Sequence, residues 1–186
     1  MNAQTITNGL WALLAAYWIY SGRNVKLKQQ GEPPASRLLR LTVVISGFVL
    51  LLREGPWSGV FGLSLGIPHS EYLGPSMTAL GVGFAIWARA TLGRNWSVAV
   101  TLKVTHELIR SGPYRLVRHP IYTGILIAAV GTAVLSNEVR GVVGVLLIFG
   151  AYLKKISKEE ELMSANFPQA YSEYKASTWK LVPYVF

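Results

Sequence analysis

The chain has 186 residues, of which 51% are hydrophobic and only 15% charged, yet its formal net charge is +9. Soluble domains carry about 25% charged residues, so a chain this poor in charge points to a bilayer and away from disorder or nucleic-acid binding. The absence of cysteine excludes disulfides, thiolate metal sites and thiol nucleophiles.

Residues 5–22 carry no charged side chain and contain the run GLWALLAAYWIY. This predicts a first membrane helix of about 20 residues. A cleavable signal peptide needs a basic segment ahead of its apolar run, whereas Arg23, Lys26 and Lys28 follow this one. A second span is predicted at 37–53, where Arg37, Arg40 and Arg53 flank the apolar run Leu41 to Leu52 and can snorkel to the interfaces. Residues 55–70 are also uncharged, but their glycines and prolines break any helix, which predicts a surface or re-entrant loop. Helix is expected to resume with Pro75 in its first turn and to give a third span over 73–91. Spans four and five, 120–136 and 139–156, are separated only by Asn137 and Glu138 and must form a hairpin.

The fold class expected is therefore all-α: a polytopic membrane protein of five helices in a single domain over 1–186. Five spans place sixteen of the 18 basic residues on one side and leave Arg53 and Arg140 on the other. The positive-inside rule makes the basic side cytoplasmic, with the N-terminus outside and the C-terminus inside. Small residues four apart, Gly124 and Ala128 or Gly62 and Gly66, are compatible with close helix packing.

No metal site is expected, because His69, His106 and His119 are dispersed and His69 falls on the opposite side from the other two. The chain has no Asp, which removes a Ser-His-Asp triad, and no Gly-rich loop follows a strand. Two polar segments remain on the basic side, 92–122 and 154–183. In the first, Pro120 at the start of span four leaves helix-end amides that favour a carboxylate or phosphate. The plainer reading makes Tyr114, Arg115 and Arg118 an interfacial anchor belt beside anionic lipid. In the second, Lys155 and Glu159 share a helix face, and Glu159 to Glu161 is either a solvated run or a recogniser of a cationic or polyhydroxylated ligand.

These segments resemble the isoprenylcysteine carboxyl methyltransferase family, small prokaryotic members included. The resemblance rests on Leu92-Gly93, Asn95-Trp96-Ser97, His106-Glu107-Leu108-Ile109, Gly112-Pro113-Tyr114, Arg118-His119-Pro120-Ile121-Tyr122, and Glu159-Glu160 followed by Met163, Phe167, Tyr171 and Tyr174. It implies methyl transfer from S-adenosyl-L-methionine to a lipophilic acceptor, most simply a carboxylate, at the cytoplasmic face of a prokaryotic inner membrane. It also implies cofactor contacts at His106, Glu107, Leu108, Ile109, Tyr114, His119, Pro120, Ile121, Tyr122 and Glu159. Lys155 stands where the family has a substrate-facing arginine, Ala99 where some relatives have a polar cofactor contact, and Pro168 where a glycine is usual. Lys155 or Arg118 would steer an anionic acceptor, and Glu160 or Glu161 would be the base for an amine acceptor. The alternatives are a phospholipid amine N-methyltransferase, an NADPH-dependent sterol-type reductase, and a small channel or transporter subunit. No nucleic acid is expected as partner.

Overall fold

A computed structural model describes residues 2–23, 33–53, 55, 59–93 and 108–185. Six α-helices account for most of them: α1 (Ala3–Gly22), α2 (Pro34–Leu52), α3 (Ser70–Leu92), α4 (Pro120–Ser136), α5 (Val139–Asn166) and α6 (Pro168–Ser177). The described residues form no β-strand, only two isolated bridges. The first five helices coincide with the five apolar stretches, and α2 is long and apolar enough to cross a bilayer, with α4 a shorter apolar helix.

Local chemistry sets most helix ends. The Asn2 side chain caps α1 by accepting from the Thr5 amide at 2.8 Å. Pro34, Pro120 and Pro168 open α2, α4 and α6, where a missing N–H costs nothing. Asn137 adopts a left-handed conformation at φ 51° and closes α4, which Asn tolerates better than most residues, so the α4–α5 turn needs no further length. The start of α3 differs from expectation. The helix begins at Ser70, behind a left-handed His69, so Pro75 lies inside the helix and is buried rather than in its first turn.

The tightest contact is the seam between α3 and α4. A Cβ on Gly81 would lie 2.5 Å from the Gly124 carbonyl oxygen, and one on Gly131 would lie 2.5 Å from the Thr78 amide nitrogen. The two backbones therefore touch, as small residues allow when lipid supplies no hydrophobic drive for association. Gly124 and Ala128 do serve helix packing, whereas Gly62 ends a short 3-10 turn and Gly66 occupies an irregular segment at φ 66°. The α2–α5 contact repeats the device, with Gly47 facing the Gly144 carbonyl and Ile148. Trp11 of α1 joins the seam by donating its indole N–H to Thr132 at 2.9 Å, in reach of Thr78.

One end of the bundle is closed by residues 63–67, which lie across the α4–α5 turn. Leu65 N–H donates to the Asn137 carbonyl, and Val139 N–H to the Leu63 carbonyl. There Arg140 pairs with Glu138 and caps the Leu50 carbonyl of α2. The other end carries the polar cluster. Buried Arg89 ties α3 to α1 there by donating to the carbonyls of Gly93 and Ser21, each at 2.7 Å.

Candidate functional site

The site is built where α4 begins and where α5 continues past the apolar part of the bundle. No breaker occurs before Phe167 and Pro168, so α5 is a single helix of 28 residues. Its inward stripe Tyr152, Lys155, Ile156, Glu159 and Glu160 rises beside Arg118, His119 and Tyr122 at the start of α4. The helical period thus brings Lys155 and Glu159 together, with Nζ 3.5 Å from Oε1.

Two neighbouring carboxylates have different surroundings. Glu160 is a hub. It accepts from Arg118 Nε at 2.9 Å, lies 3.3 Å from His119 Nε2, and has Lys175 and Lys180 at 3.7 and 3.8 Å. Burial alone would raise its pKa, but the hydrogen bonds and charges of His119 and Arg118 outweigh this and hold it at about 2. Glu159 has a lighter set of partners: the Tyr122 hydroxyl at 2.8 Å, Lys155, and His119 Nδ1 at 3.7 Å. Its side chain is 22% exposed, against 9% for Glu160. Glu160 is saturated and inward; Glu159 keeps acceptor capacity on an accessible side.

Aromatic residues surround the carboxylates. Tyr122 stacks on His119 with ring centroids 5.8 Å apart and tilts against Tyr152 at 4.7 Å, with Lys155 Nζ 5.1 Å from the Tyr122 centroid. Beside them a small apolar wall gathers Ala88, Tyr114 and Ile121, with Trp18, Leu92 and Ile109 packed on it. Tyr171 and Tyr174 lie in this region on α6, and Tyr174 donates to the Tyr114 carbonyl at 2.8 Å. Burial is the main cause that pushes the Tyr174 hydroxyl up to about 12, so it is a fixed neutral donor.

The chain after α6 returns over the start of α4. Arg118 N–H donates to the Trp179 carbonyl at 2.8 Å, His119 N–H to the Lys180 carbonyl, and Trp179 N–H to the Leu116 carbonyl. Thr123 Oγ1 bonds the Leu181 carbonyl at 2.7 Å, and Arg118 also donates to the carbonyl of Thr178. The helix end expected to be open at Pro120 is therefore covered, and Pro120 itself is fully buried. Nothing in the sequence signals this returning segment, because it contributes its backbone groups to these bonds and no side chain of its own.

Of the residues singled out from sequence, Lys155, Arg118, Glu160, His119, Tyr122 and Glu159 form one contact network. Tyr114, Ile121 and Ile109 form the apolar wall, with Pro120 beside it. His106 and Glu107, together with Asn95, Trp96 and Ser97, lie outside the described residues, which resume at Leu108. The sequence reading missed Lys175 and Lys180 as partners of Glu160 and Arg40 as a neighbour of Tyr122 and Tyr152. Arg40 had a signal: it continues the spacing of Val44, Gly47 and Leu51 along one face of α2. Among the described residues no cluster of His, Asp and Glu has the form of a metal site.

Residues 76–165 match the model of the isoprenylcysteine carboxyl methyltransferase (ICMT) family. The chain is 34% identical over 118 residues to a probable protein-S-isoprenylcysteine O-methyltransferase of Oryza sativa subsp. indica, a match covering 62% of each chain. It is 29% identical to the protein-S-isoprenylcysteine O-methyltransferase of Saccharomyces cerevisiae, over 68% of this chain and 54% of that one. It is also 28% identical to the cobalt-zinc-cadmium resistance protein CzcN of Cupriavidus metallidurans, over 77% of this chain and 69% of that one. The chain thus spans less than two thirds of the rice and yeast proteins. Its fold is similar to that of the eukaryotic intramembrane Ras methyltransferase ICMT, with a TM-score of 0.57 and 21% identity over 84% of this chain and 55% of that one. The matched segment, just under half of the chain, runs from α3 through the Glu159 and Glu160 cluster, and over it the chain is similar to the isoprenylcysteine carboxyl methyltransferase family.

Proposed function

We propose that this protein transfers a methyl group from S-adenosyl-L-methionine to a carboxylate on a lipophilic molecule that reaches the site from the bilayer. The observation that carries this reading is the unequal pair of glutamates: Glu159, partly open beside an aromatic and apolar wall, next to a saturated Glu160. A cofactor that joins a purine and a ribose diol to an ammonium group suits such a wall with a carboxylate at its edge. Glu159 would accept from the diol or the ammonium, and Tyr114, Ile109 and Ile121 would line the apolar part. When bound, the cofactor supplies an electrophilic sulfonium methyl, so that an O–C bond forms as the S–C bond breaks and no proton has to move.

The work left to the protein is alignment and exclusion of water. Lys155, 8% exposed and held over the Tyr122 ring, offers a positive charge to the acceptor on the side of Glu159. Arg118 is committed to Glu160 and to the carbonyls of the returning segment, so we assign it to holding the site's shape. Glu160 is given the same role. An amine acceptor would require a base, and Glu160, held at about 2 beside Arg118, Lys175, Lys180 and the His119 ring, takes up a proton poorly. This disfavours the phospholipid amine N-methyltransferase reading. The three glutamates Glu159 to Glu161 likewise suit an NADPH phosphate badly.

The same proposal places the five helices α1 to α5 across a membrane, in a prokaryote the inner one, with the N-terminus outside and the polar end cytoplasmic. The lopsided basic residues support it. Reporter fusions at the two termini test it: a signal from the same compartment for both overturns the five-span count. The activity is tested by incubating the purified protein with radiolabelled S-adenosyl-L-methionine and total membrane lipid. A base-labile methyl ester is expected. A base-stable labelled amine would favour the N-methyl reading, and no cofactor binding by calorimetry would overturn both.

A further inference from the structure

α2 contributes one cation to the interior of the bundle. Its inward face follows Arg40, Val44, Gly47 and Leu51, and Val44 packs against the main apolar core with Phe48 and Leu52. Arg37, one turn earlier, is exposed, whereas Arg40 is half-buried. α2 and α5 run antiparallel: Arg140 donates to the Leu50 carbonyl, and Gly47 meets Gly144 and Ile148. About two helical turns from that crossing toward the polar end, Arg40 comes level with the turn of α5 that carries Tyr152 and Lys155. Its guanidinium is within Coulombic range of the hydroxyls of both Tyr122 and Tyr152.

An arginine near the end of an apolar helix has a cheap alternative, which is to turn outward and snorkel to the headgroups as Arg37 is placed to do. A cation kept on the packed face of a span instead serves a site or pathway. Arg40 and Lys155 approach the Tyr122 and Tyr152 pair from different helices. Lysine offers a compact point charge, while guanidinium offers the planar fork that matches a carboxylate.

We propose that Arg40 is the residue of this chain that grips the acceptor's carboxylate, supplying from α2 the bidentate fork that Lys155 lacks on α5. The inference rests on the carboxyl methyltransferase reading and deepens it, because it makes recognition of the anionic group independent of cofactor binding. Lys155 then adds charge from the Glu159 side, and the lipid tail of the acceptor lies along α2, whose neighbouring residues Leu38 and Leu39 are exposed and apolar.

The test uses the full chain in lipid nanodiscs without cofactor and measures binding of N-acetyl-S-farnesylcysteine and of its neutral carboxamide by tryptophan fluorescence. Wild type is expected to prefer the acid by roughly tenfold or more. Arg40→Gln should bring acid and amide to equal affinity while leaving the amide's own affinity unchanged. Arg40→Lys should keep part of the preference, and Arg37→Gln all of it. Unchanged acid affinity in Arg40→Gln overturns the proposal, as does a wild type that binds acid and amide alike. An unchanged amide affinity separates loss of the fork from loss of the fold. Calorimetric titration of S-adenosyl-L-methionine on the same samples keeps the two readings apart, since its failure counts against the methyltransferase and not against Arg40.

Discussion

The α3–α4 seam and the polar end of α5 hold the same molecule together by opposite means. At the seam, Gly74, Gly81, Gly124 and Gly131 have no side chains, and shape brings two backbones into contact, with Thr78 bonding across to Ala128 and Thr132. At the polar end, Arg118, Lys155, Lys175 and Lys180 are among the longest side chains available, and Glu159 and Glu160 gather them by charge. The seam tolerates no added atom and has no chemistry to offer. The polar end has charges in surplus, and of the two carboxylates in its network the one left partly open, Glu159, is the one suited to a ligand. Rigid packing fixes where α4 starts, and that in turn decides which residues Glu159 and Glu160 meet.

The contrast is sharpest when each region is broken in turn. Gly124→Leu would force a side chain against Ala85, where even a Cβ lies 2.6 Å from the amide nitrogen. We expect a loss of about 3 kcal/mol or more, seen as the absence of a monodisperse folded species in size exclusion. Glu160→Gln removes the charge that Arg118, Lys175 and Lys180 share, and breaking such a buried set costs about 3 kcal/mol. The readout is local: trypsin should cleave at Lys175 and Lys180 much faster than in wild type, while α1 to α4 stay protected.

Acid should do reversibly what that substitution does permanently. The folded state holds Glu160 at about 2, below its ordinary 4.5, so its contribution is complete above pH 4.5 and is lost as pH falls toward 2. Protection of the C-terminal segment, followed by hydrogen exchange, should be flat from pH 7 to about 5 and decline below that. The smallest structural effect belongs to Glu159→Gln, which leaves the unfolding temperature within about 2 °C of wild type, because Tyr122 still finds an acceptor. It should nevertheless weaken S-adenosyl-L-methionine binding about tenfold by titration. A large stability loss with unchanged binding would reverse the roles assigned to the two glutamates.

Much of this layout is legible in one dimension. The five uncharged apolar stretches, the forced hairpin at Asn137 and Glu138, and the pairing of Lys155 with Glu159 follow from hydropathy, turn length and the 3.6-residue period, all of which act over neighbouring residues. Pro75 was misplaced by the same logic, since proline favours a first helical turn but is also accommodated within a helix whose neighbours bury it. The sequence by itself therefore determined the helices, the charge asymmetry between the two ends, and the residue types on offer at α4 and α5. Only the tertiary structure decided that Glu160 is saturated and Glu159 is not, that residues 178–181 cover the start of α4, and that Arg40 faces inward. Each of these depends on partners about 15 to 60 residues away in the chain, or on another helix altogether. Local propensity carries no record of such contacts.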